Sequence, residues 1–138
     1  MPKYISPPRR GTFSTMTINN QHAYMENVWD WGILSGCFGD TKIAASDLDG
    51  IVERHGYFLV LETKSIGAQV TGGQQHLFNA MLRNGAFSVL VVWGARNAPQ
   101  FIQRQTAREI SPVEPCDLAG LRDIVTRWYS WADQQPRR

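Results

Sequence analysis

The sequence predicts an α/β domain in which a central mixed β-sheet is flanked by helices. Three observations support this prediction: a hairpin pattern over residues 48–64, a continuous apolar run at 86–93, and helical stripes on either side of that run. With 138 residues, of which 43% are hydrophobic and 19% charged, the composition is that of one compact domain, expected over residues 20–138.

The chain begins with a proline-containing stretch that lacks any sustained hydrophobic period. Residues 1–19 are polar and include three bases, Lys3, Arg9 and Arg10, with no acid among them. This composition predicts a flexible basic arm. Because Lys and Arg side chains neutralise phosphates, the three bases are the predicted DNA-binding residues of the arm.

A helix and then a hairpin are predicted next. Residues 21–34 show an i, i+3, i+4 apolar spacing that stops near two glycines, which is typical of a helix. Two β-rich runs then follow, 48–54 and 57–64, separated by His55 and Gly56. Because glycine adopts positive φ readily, this dipeptide predicts a tight hairpin turn.

Helices and strands alternate after the hairpin. Residues 71–84 have helical spacing, and 86–93 are uninterruptedly apolar, which indicates a strand buried on both faces. Residues 101–110 are expected to form a more polar strand or edge segment. Asp117 is the predicted N-cap of a last helix. The apolar stripe of that helix contains Leu118, Leu121, Ile124, Val125, Trp128 and Trp131.

The predicted hairpin brings charged residues together. Counted outward from the turn, Asp49 faces Glu62 and Asp47 faces Lys64, all on one side of the hairpin. Two opposed carboxylates repel each other, and a divalent cation such as Mg²⁺ compensates that repulsion with oxygen ligands. A nearby lysine can position water or neutralise a phosphate. The alternative is a charged, solvent-facing edge with a weak Asp47–Lys64 ion pair.

The strand before Glu62 is too apolar for an exposed edge, which favours the metal site. An Asp, followed thirteen residues later by Glu62-Thr63-Lys64 at the end of a buried strand, resembles the pattern of the PD-(D/E)XK nuclease superfamily. The order helix, hairpin, helix, central strand also resembles that family's core over residues 20–95. The resemblance implies a restriction-endonuclease-like fold with Asp49 and Glu62 as metal ligands and Lys64 as a catalytic residue.

Further site residues follow from the same resemblance. Ser46 and Leu48 stand where the family pattern has a proline before the Asp, which leaves Asp47 or Asp49 as the ligand. Cross-strand pairing with Glu62 favours Asp49, so Asp47 is kept as the second-choice ligand or as the partner that positions Lys64. Glu26 on the first predicted helix matches a helical glutamate that joins the metal site in many members, or is a polar residue on the wet side of the helix. Gln74, four residues before Phe78, is similar to a catalytic glutamine element of RecB-like and phage nucleases, and it also fits a helix capping box.

The implied function is a Mg²⁺-dependent deoxyribonuclease that hydrolyses phosphodiester bonds, with Mn²⁺ expected to substitute and the endonuclease or exonuclease mode left open. The sequence resembles those of small phage or RecB-like stand-alone nucleases. Two alternatives remain: a catalytically inactive DNA-binding module of the same fold, and a protein–protein adaptor that uses its tryptophan-rich helices. DNA is the expected partner, and Trp128 and Trp131 are candidates for a homodimer interface.

Charge and targeting features agree with an intracellular DNA partner. The formal charge is only +2, but it is distributed as +3 over residues 1–19, −4 over 20–65 and +3 over 66–138. Such a pattern fits a cation site beside phosphate-attracting surfaces, although ordinary solvated charges fit it equally well. Two cysteines and the lack of a long apolar run predict a reduced, cytoplasmic protein with no membrane association. The resemblance to phage nucleases leaves a phage-encoded protein open.

Overall fold

The computed structural model describes residues 27–138. The predicted basic arm over residues 1–19 and the predicted ligand Glu26 lie outside the described residues, so the expectations for them stay predictions. The chain divides into two compact units, Met1–Ala45 and Ser46–Arg138. All of the sheet, both long helices and every other predicted site residue belong to the second unit.

The first unit differs from the sequence prediction. Its described residues contain a short 3-10 helix at Trp31–Leu34. The α-helix predicted over residues 21–34 is therefore wrong for its described part, residues 27–34. An apolar stripe holds a short helix only when it packs against a partner surface. Trp29 and Ile33 of that stripe remain 59% and 67% exposed, so the packing that the period implied is not formed.

The second unit is a five-stranded mixed sheet with a helix on each face, which confirms the α/β class. The strands follow one another across the sheet in chain order, and every neighbouring pair is antiparallel except the second with the third. The elements are β1 (Gly50–Arg54), β2 (Tyr57–Lys64), α1 (Gly72–Arg83), β3 (Phe87–Ala95), β4 (Ala98–Gln105), β5 (Glu114–Pro115) and α2 (Leu118–Asp133).

The hairpin of β1 and β2 has the predicted register. Its ladder runs from the turn outward to the pair Gly50–Leu61. His55 and Gly56 form the turn with φ angles of 53° and 84°. Positive φ at both central residues gives a turn whose twist matches that of the strands, so the register is fixed from the turn outward.

The connection through α1 makes β2 and β3 parallel. Thr71 caps α1 as predicted: its hydroxyl accepts from the Gln74 backbone N–H at 3.2 Å, and the Gln74 side chain accepts from the Thr71 N–H at 3.1 Å. Because β2 and β3 run in the same direction, their carboxyl ends lie at one edge of the sheet. Lys64 and Trp93 are paired neighbours at that edge.

The sheet buries two separate clusters, one on each face. α1 covers the first cluster: Val60, Phe78, Leu82, Val89, Val91 and Trp93. α2 covers the second, in which Leu59, Leu90, Val92 and Ile102 pack with Leu121, Ile124, Val125 and Trp128. β3 contributes to both clusters, which confirms the strand predicted at 86–93 as central and buried on both faces.

The structure changes the predicted bounds of the fourth strand and confirms the predicted start of the last helix. The strand expected at 101–110 begins earlier, at Ala98, and ends at Gln105, because a turn with Asn97 at φ 58° directs the chain back after β3. Asp117 caps α2 as predicted by accepting from the Gly120 N–H at 2.8 Å. No helix among the described residues has the length and apolar character needed to cross a membrane.

Candidate active site at the end of strand β2

Four of the sequence-predicted residues line a pocket at the carboxyl end of β2, on the face that α1 covers: Asp47, Asp49, Glu62 and Gln74. Lys64 is hydrogen-bonded to Gln74 beside it. The pocket has a volume of about 320 Å³. Its walls are formed by Ser46, Asp47, Asp49, Glu62, Thr63, Gln74, Leu77 and Phe78. The hairpin supplies the acidic wall, and the first two turns of α1 supply the opposite wall.

Glu62 is the buried acid of the site, with only 6% of its surface exposed. Its Oε1 accepts a hydrogen bond from Gln74 Nε2 at 2.9 Å and lies 3.9 Å from Lys64 Nζ. Burial raises the pKa of the Glu62 carboxyl, and the neighbouring Asp49 charge raises it further, against a partial opposite effect from Lys64 and Gln74. Two acids therefore share the site at an electrostatic cost to the folded chain.

Asp49 is held beside Glu62 by the residue that follows the buried acid. Its Oδ2 accepts from the Thr63 backbone N–H at 2.8 Å and from the Thr63 hydroxyl at 3.0 Å. The backbone ladder ends at Gly50, so the Asp49 side chain continues the hydrogen bonding of the hairpin by one step. The predicted juxtaposition of Asp49 and Glu62 is therefore present.

Lys64 is oriented by Gln74. Lys64 Nζ donates to Gln74 Oε1 at 2.5 Å, and the same oxygen accepts from the Thr71 N–H of the helix cap. The Gln74 amide nitrogen donates in the opposite direction, to Glu62. If the amide were rotated by 180°, its nitrogen would face the donors of Lys64 and Thr71 and its oxygen would face the Glu62 carboxylate. These three partners therefore fix the orientation of the Gln74 amide.

Of the remaining predicted site residues, only Asp47 lies within the described part of the chain. Asp47 lines the pocket, but the expected facing pair with Lys64 is not formed, because β1 begins only at Gly50 and Lys64 bonds to Gln74 instead. Glu26 lies outside the described residues. The three bases proposed for DNA contact are also outside the described range.

One site residue was missed from the sequence. Thr63 is the middle residue of the Glu-x-Lys pattern, a position whose side chain points to the other face of a regular strand. Its backbone N–H and hydroxyl nevertheless hold Asp49, because Asp49 precedes the first residue of β1 and its side chain reaches the end of β2. The sequence feature that could have indicated this role is the hydroxyl of Thr63 directly after Glu62 and close to the expected position of Asp49.

The donor set fits a hard divalent cation. Asp49 and Glu62 offer carboxylate oxygens, which Mg²⁺ prefers, and Asp49 Oδ1 has no hydrogen-bond donor among the described residues. Burial and, after it, the neighbouring Asp49 charge raise the pKa of Glu62, and a bound cation would oppose both effects. Residues 27–138 contain no group of three or more His, Cys, Asp or Glu side chains placed to share a metal ion. Water and backbone carbonyls would complete the coordination.

Comparison with protein-family models, with curated proteins and with solved structures gives no match to this chain. The likeness to PD-(D/E)XK nucleases therefore rests on the pattern of residues and on the order of the elements. The residue pattern and the order hairpin, helix, central strand are present within the second unit, whereas the first α-helix of the predicted order is not formed over residues 27–34.

Proposed function

We propose that this protein is a Mg²⁺-dependent deoxyribonuclease with a restriction-endonuclease-like core. The observation that carries the proposal is the single hydrogen-bonded network at the end of β2, in which Gln74 links the buried acid Glu62 to the ammonium group of Lys64. Asp49 lies beside this network on the same face of the hairpin. The alternative of a charged, solvent-facing edge does not explain why Glu62, which is only 6% exposed, lies next to the second acid Asp49.

Asp49 and Glu62 are the proposed metal ligands, with Asp47 in the pocket wall as the second choice and Glu26 as a further candidate. When bound there, Mg²⁺ or Mn²⁺ polarises phosphoryl oxygens and makes bound water a better nucleophile. Thr63 keeps the Asp49 carboxylate in place, and Gln74 keeps that of Glu62 in place. The protein thus contributes a preformed pair of oxygen ligands.

Lys64 is the proposed catalytic cation. Its side chain is 13% exposed and is hydrogen-bonded to Gln74. The ammonium group is therefore held in one orientation before substrate binds. In the reaction, the oxygen of water bonds to phosphorus, the bond from phosphorus to the leaving oxygen breaks, and a phosphate monoester and a hydroxyl result. Lys64 offers hydrogen bonds to the attacking water or to the phosphate as negative charge develops.

The proposal is tested with a fluorescently labelled DNA hairpin and with single-stranded, duplex and flapped DNA. We expect cleavage with Mg²⁺ or Mn²⁺, at most binding with Ca²⁺, and no cleavage in excess EDTA. Cleavage that persists in EDTA after metal removal contradicts the proposal. Binding without cleavage in the presence of every metal identifies an inactive DNA-binding module. The absence of both binding and cleavage favours the hypothesis of a protein–protein adaptor.

A pair of variants of basic residues tests the catalytic role. Lys64→Ala is expected to abolish turnover while DNA affinity changes by no more than about a few fold, since one phosphate contact contributes little to total binding. Arg122→Ala is the control, because Arg122 is exposed on α2 and is not one of the residues that line the pocket. Equal loss of activity in both variants would contradict a special role for Lys64.

A further inference from the structure

A second pocket lies on the same face of the sheet, one strand away from the acids. Alternation along the strands puts Lys64, Trp93 and Phe101 on that face. Lys64 pairs with Trp93 across β2 and β3, and Trp93 pairs with Phe101 across β3 and β4. The catalytic cation and the aromatic wall of the second pocket are therefore direct neighbours in one row of the sheet.

The second pocket has a volume of about 490 Å³, within the range of small-molecule sites. We call it the amide pocket. It is lined by Ile66, Gly67, Ala68, Gln69, Val70, Gln75, Trp93, Phe101, Gln103 and Val113. None of these lining side chains is ionisable, so the pocket suits a neutral group and not a phosphate.

The pocket is built from fixed parts. Trp93 is only 8% exposed, and its indole Nε1 donates to the Ala68 carbonyl at 2.7 Å, which ties the loop after β2 to the sheet. Phe101 on β4 presents a ring that is 36% exposed. A rigid wall with an accessible ring is the arrangement on which nucleobases stack.

Side-chain amides supply polar contacts in the same pocket. Gln75 and the fully buried Gln105 exchange two hydrogen bonds, at 2.8 and 3.0 Å. Gln105 also donates to Gln103 Oε1 at 3.2 Å, which fixes the Gln103 amide but leaves its nitrogen without an acceptor among the described residues. An oriented amide donor next to an aromatic ring matches the edge and the face of a nucleobase.

We propose that the amide pocket binds one unpaired nucleobase of the substrate strand, beside the phosphate that Lys64 contacts. The inference rests on the proposed nuclease function and specifies its substrate class. A base inside a duplex is stacked and paired, so it enters such a pocket only after leaving the helix. The protein therefore prefers single-stranded or flapped DNA over intact duplex.

The test compares two 12-nucleotide probes of equal charge, oligothymidylate and an abasic deoxyribose-phosphate oligomer, with Ca²⁺ in place of Mg²⁺. Wild-type protein is expected to bind the probe with bases about tenfold or more tightly. Val113→Trp, which fills the pocket from a half-exposed position, and Phe101→Ala, which removes the ring, are expected to lose most of that preference. Leu118→Trp, at an equally exposed position on α2, is the control.

The outcomes separate this inference from the nuclease proposal. Equal affinity for both probes, or a preference that survives both pocket variants in folded protein, overturns the inference even if Mg²⁺-dependent cleavage is found. A base preference that both pocket variants remove supports the inference even if wild-type protein cleaves no DNA. Faster cleavage of intact duplex than of single-stranded and flapped DNA also overturns it.

Discussion

Glu62 is a buried acid whose ionised form is unfavourable in the folded chain. The carboxyl is buried next to Asp49, and both burial and the second charge raise its pKa. The folded chain therefore binds a proton at Glu62 more tightly than the unfolded chain does. This stabilising contribution is complete below the ordinary pKa of glutamate and is lost as the pH rises through the raised pKa of the folded state.

We therefore expect Glu62→Gln to increase the free energy of unfolding of the metal-free protein at neutral pH. Glutamine keeps an oxygen for the Gln74 amide and removes the charge opposite Asp49, so a gain of about 1 kcal/mol is expected, the usual scale of such changes. Urea denaturation in EDTA measures it. The advantage of the variant over wild type should grow from acidic to neutral pH.

Asp123→Asn is the control, since Asp123 forms an exposed pair with Arg127 on α2. Added Mg²⁺ should reverse the order, because it stabilises wild type by about 2.7 kcal/mol at a hundredfold excess over Kd but has lost a ligand in Glu62→Gln. If Glu62→Gln is less stable than wild type at neutral pH without metal, the description of this site as electrostatically strained is wrong.

Gln74 has two roles that one substitution separates. Its oxygen serves the helix cap and Lys64, whereas its nitrogen serves Glu62. Gln74→Glu keeps a residue that completes a capping box but replaces the donor to Glu62 with a negative charge. We expect stability to remain within about 1 kcal/mol and DNA cleavage to fall about 100-fold.

Single-turnover cleavage rates and thermal unfolding of the same preparation check the Gln74 prediction. Gln75→Glu is not a suitable control because Gln75 contacts Gln105, so His76→Gln, at an exposed position of α1, takes that place. A Gln74→Glu protein that cleaves as fast as wild type would show that Gln74 is only a helix cap.

At the scale of elements, two glycines have opposite requirements. A Cβ at Gly94 in β3 would collide with the Ala98 carbonyl oxygen and would lie 3.0 Å from Pro99 Cα. A Cβ at Gly73 in α1 would meet no atom within 4 Å. Gly94→Ala is therefore expected to destabilise by about 1–3 kcal/mol through a backbone shift at the β3–β4 turn.

Gly73→Ala is expected to stabilise by about 0.5–1 kcal/mol, because alanine loses less backbone freedom in a helix. Urea midpoints of the two variants and wild type, measured side by side, decide both expectations. A Gly94→Ala protein as stable as wild type would mean that β3 and β4 do not approach as closely as described.

The sequence predicted the elements where local pattern and packing agree. The hairpin, α1, β3 and α2 have strong turn, cap or burial signals, and each finds a partner surface in the sheet. The stripe over residues 21–34 has a helical period, but its described residues form only a 3-10 helix, since a period indicates which face could pack and not what it packs against.

The site was predictable to the same extent. Strand register brought Asp49 to Glu62, because a ladder extends arithmetically from its turn. The Lys64–Gln74 bond and the Thr63 contacts depend on side-chain paths and on where β1 begins, which alternation along a strand does not determine. Because β1 begins only at Gly50, the expected pair of Asp47 with Lys64 is not formed.

At the scale of the whole molecule, Trp131 is the strongest candidate for a contact between copies. Trp128 packs against the sheet of its own chain, whereas Trp131 remains 47% exposed and forms a T-shaped pair with Tyr57, at 5.0 Å between ring centroids. A single-stranded substrate needs one site, but coordinated cleavage of both strands of the less favoured duplex needs two, and a twofold dimer is the commonest way to supply them.

Light scattering at micromolar protein, with and without duplex DNA, is expected to give twice the monomer mass of 15.6 kDa for wild type and the monomer mass for Trp131→Ala. Tyr129→Ala is the control, since Tyr129 is equally exposed on the same helix. A wild-type mass near 15.6 kDa both alone and on DNA would leave a monomeric enzyme that nicks or trims one strand.

In the proposed nuclease, Asp49 and Glu62 together hold the metal ion that the cleavage of DNA requires. The initial rate of single-stranded DNA cleavage, measured as a function of Mg²⁺ concentration for wild type, Asp49→Asn and Asp123→Asn, tests this role. We expect saturable, Mg²⁺-dependent cleavage by wild type and by Asp123→Asn at about equal rates, and a loss of at least about 100-fold in Asp49→Asn. Cleavage by Asp49→Asn at the wild-type rate and with the wild-type Mg²⁺ dependence would show that Asp49 is not a metal ligand of the reaction.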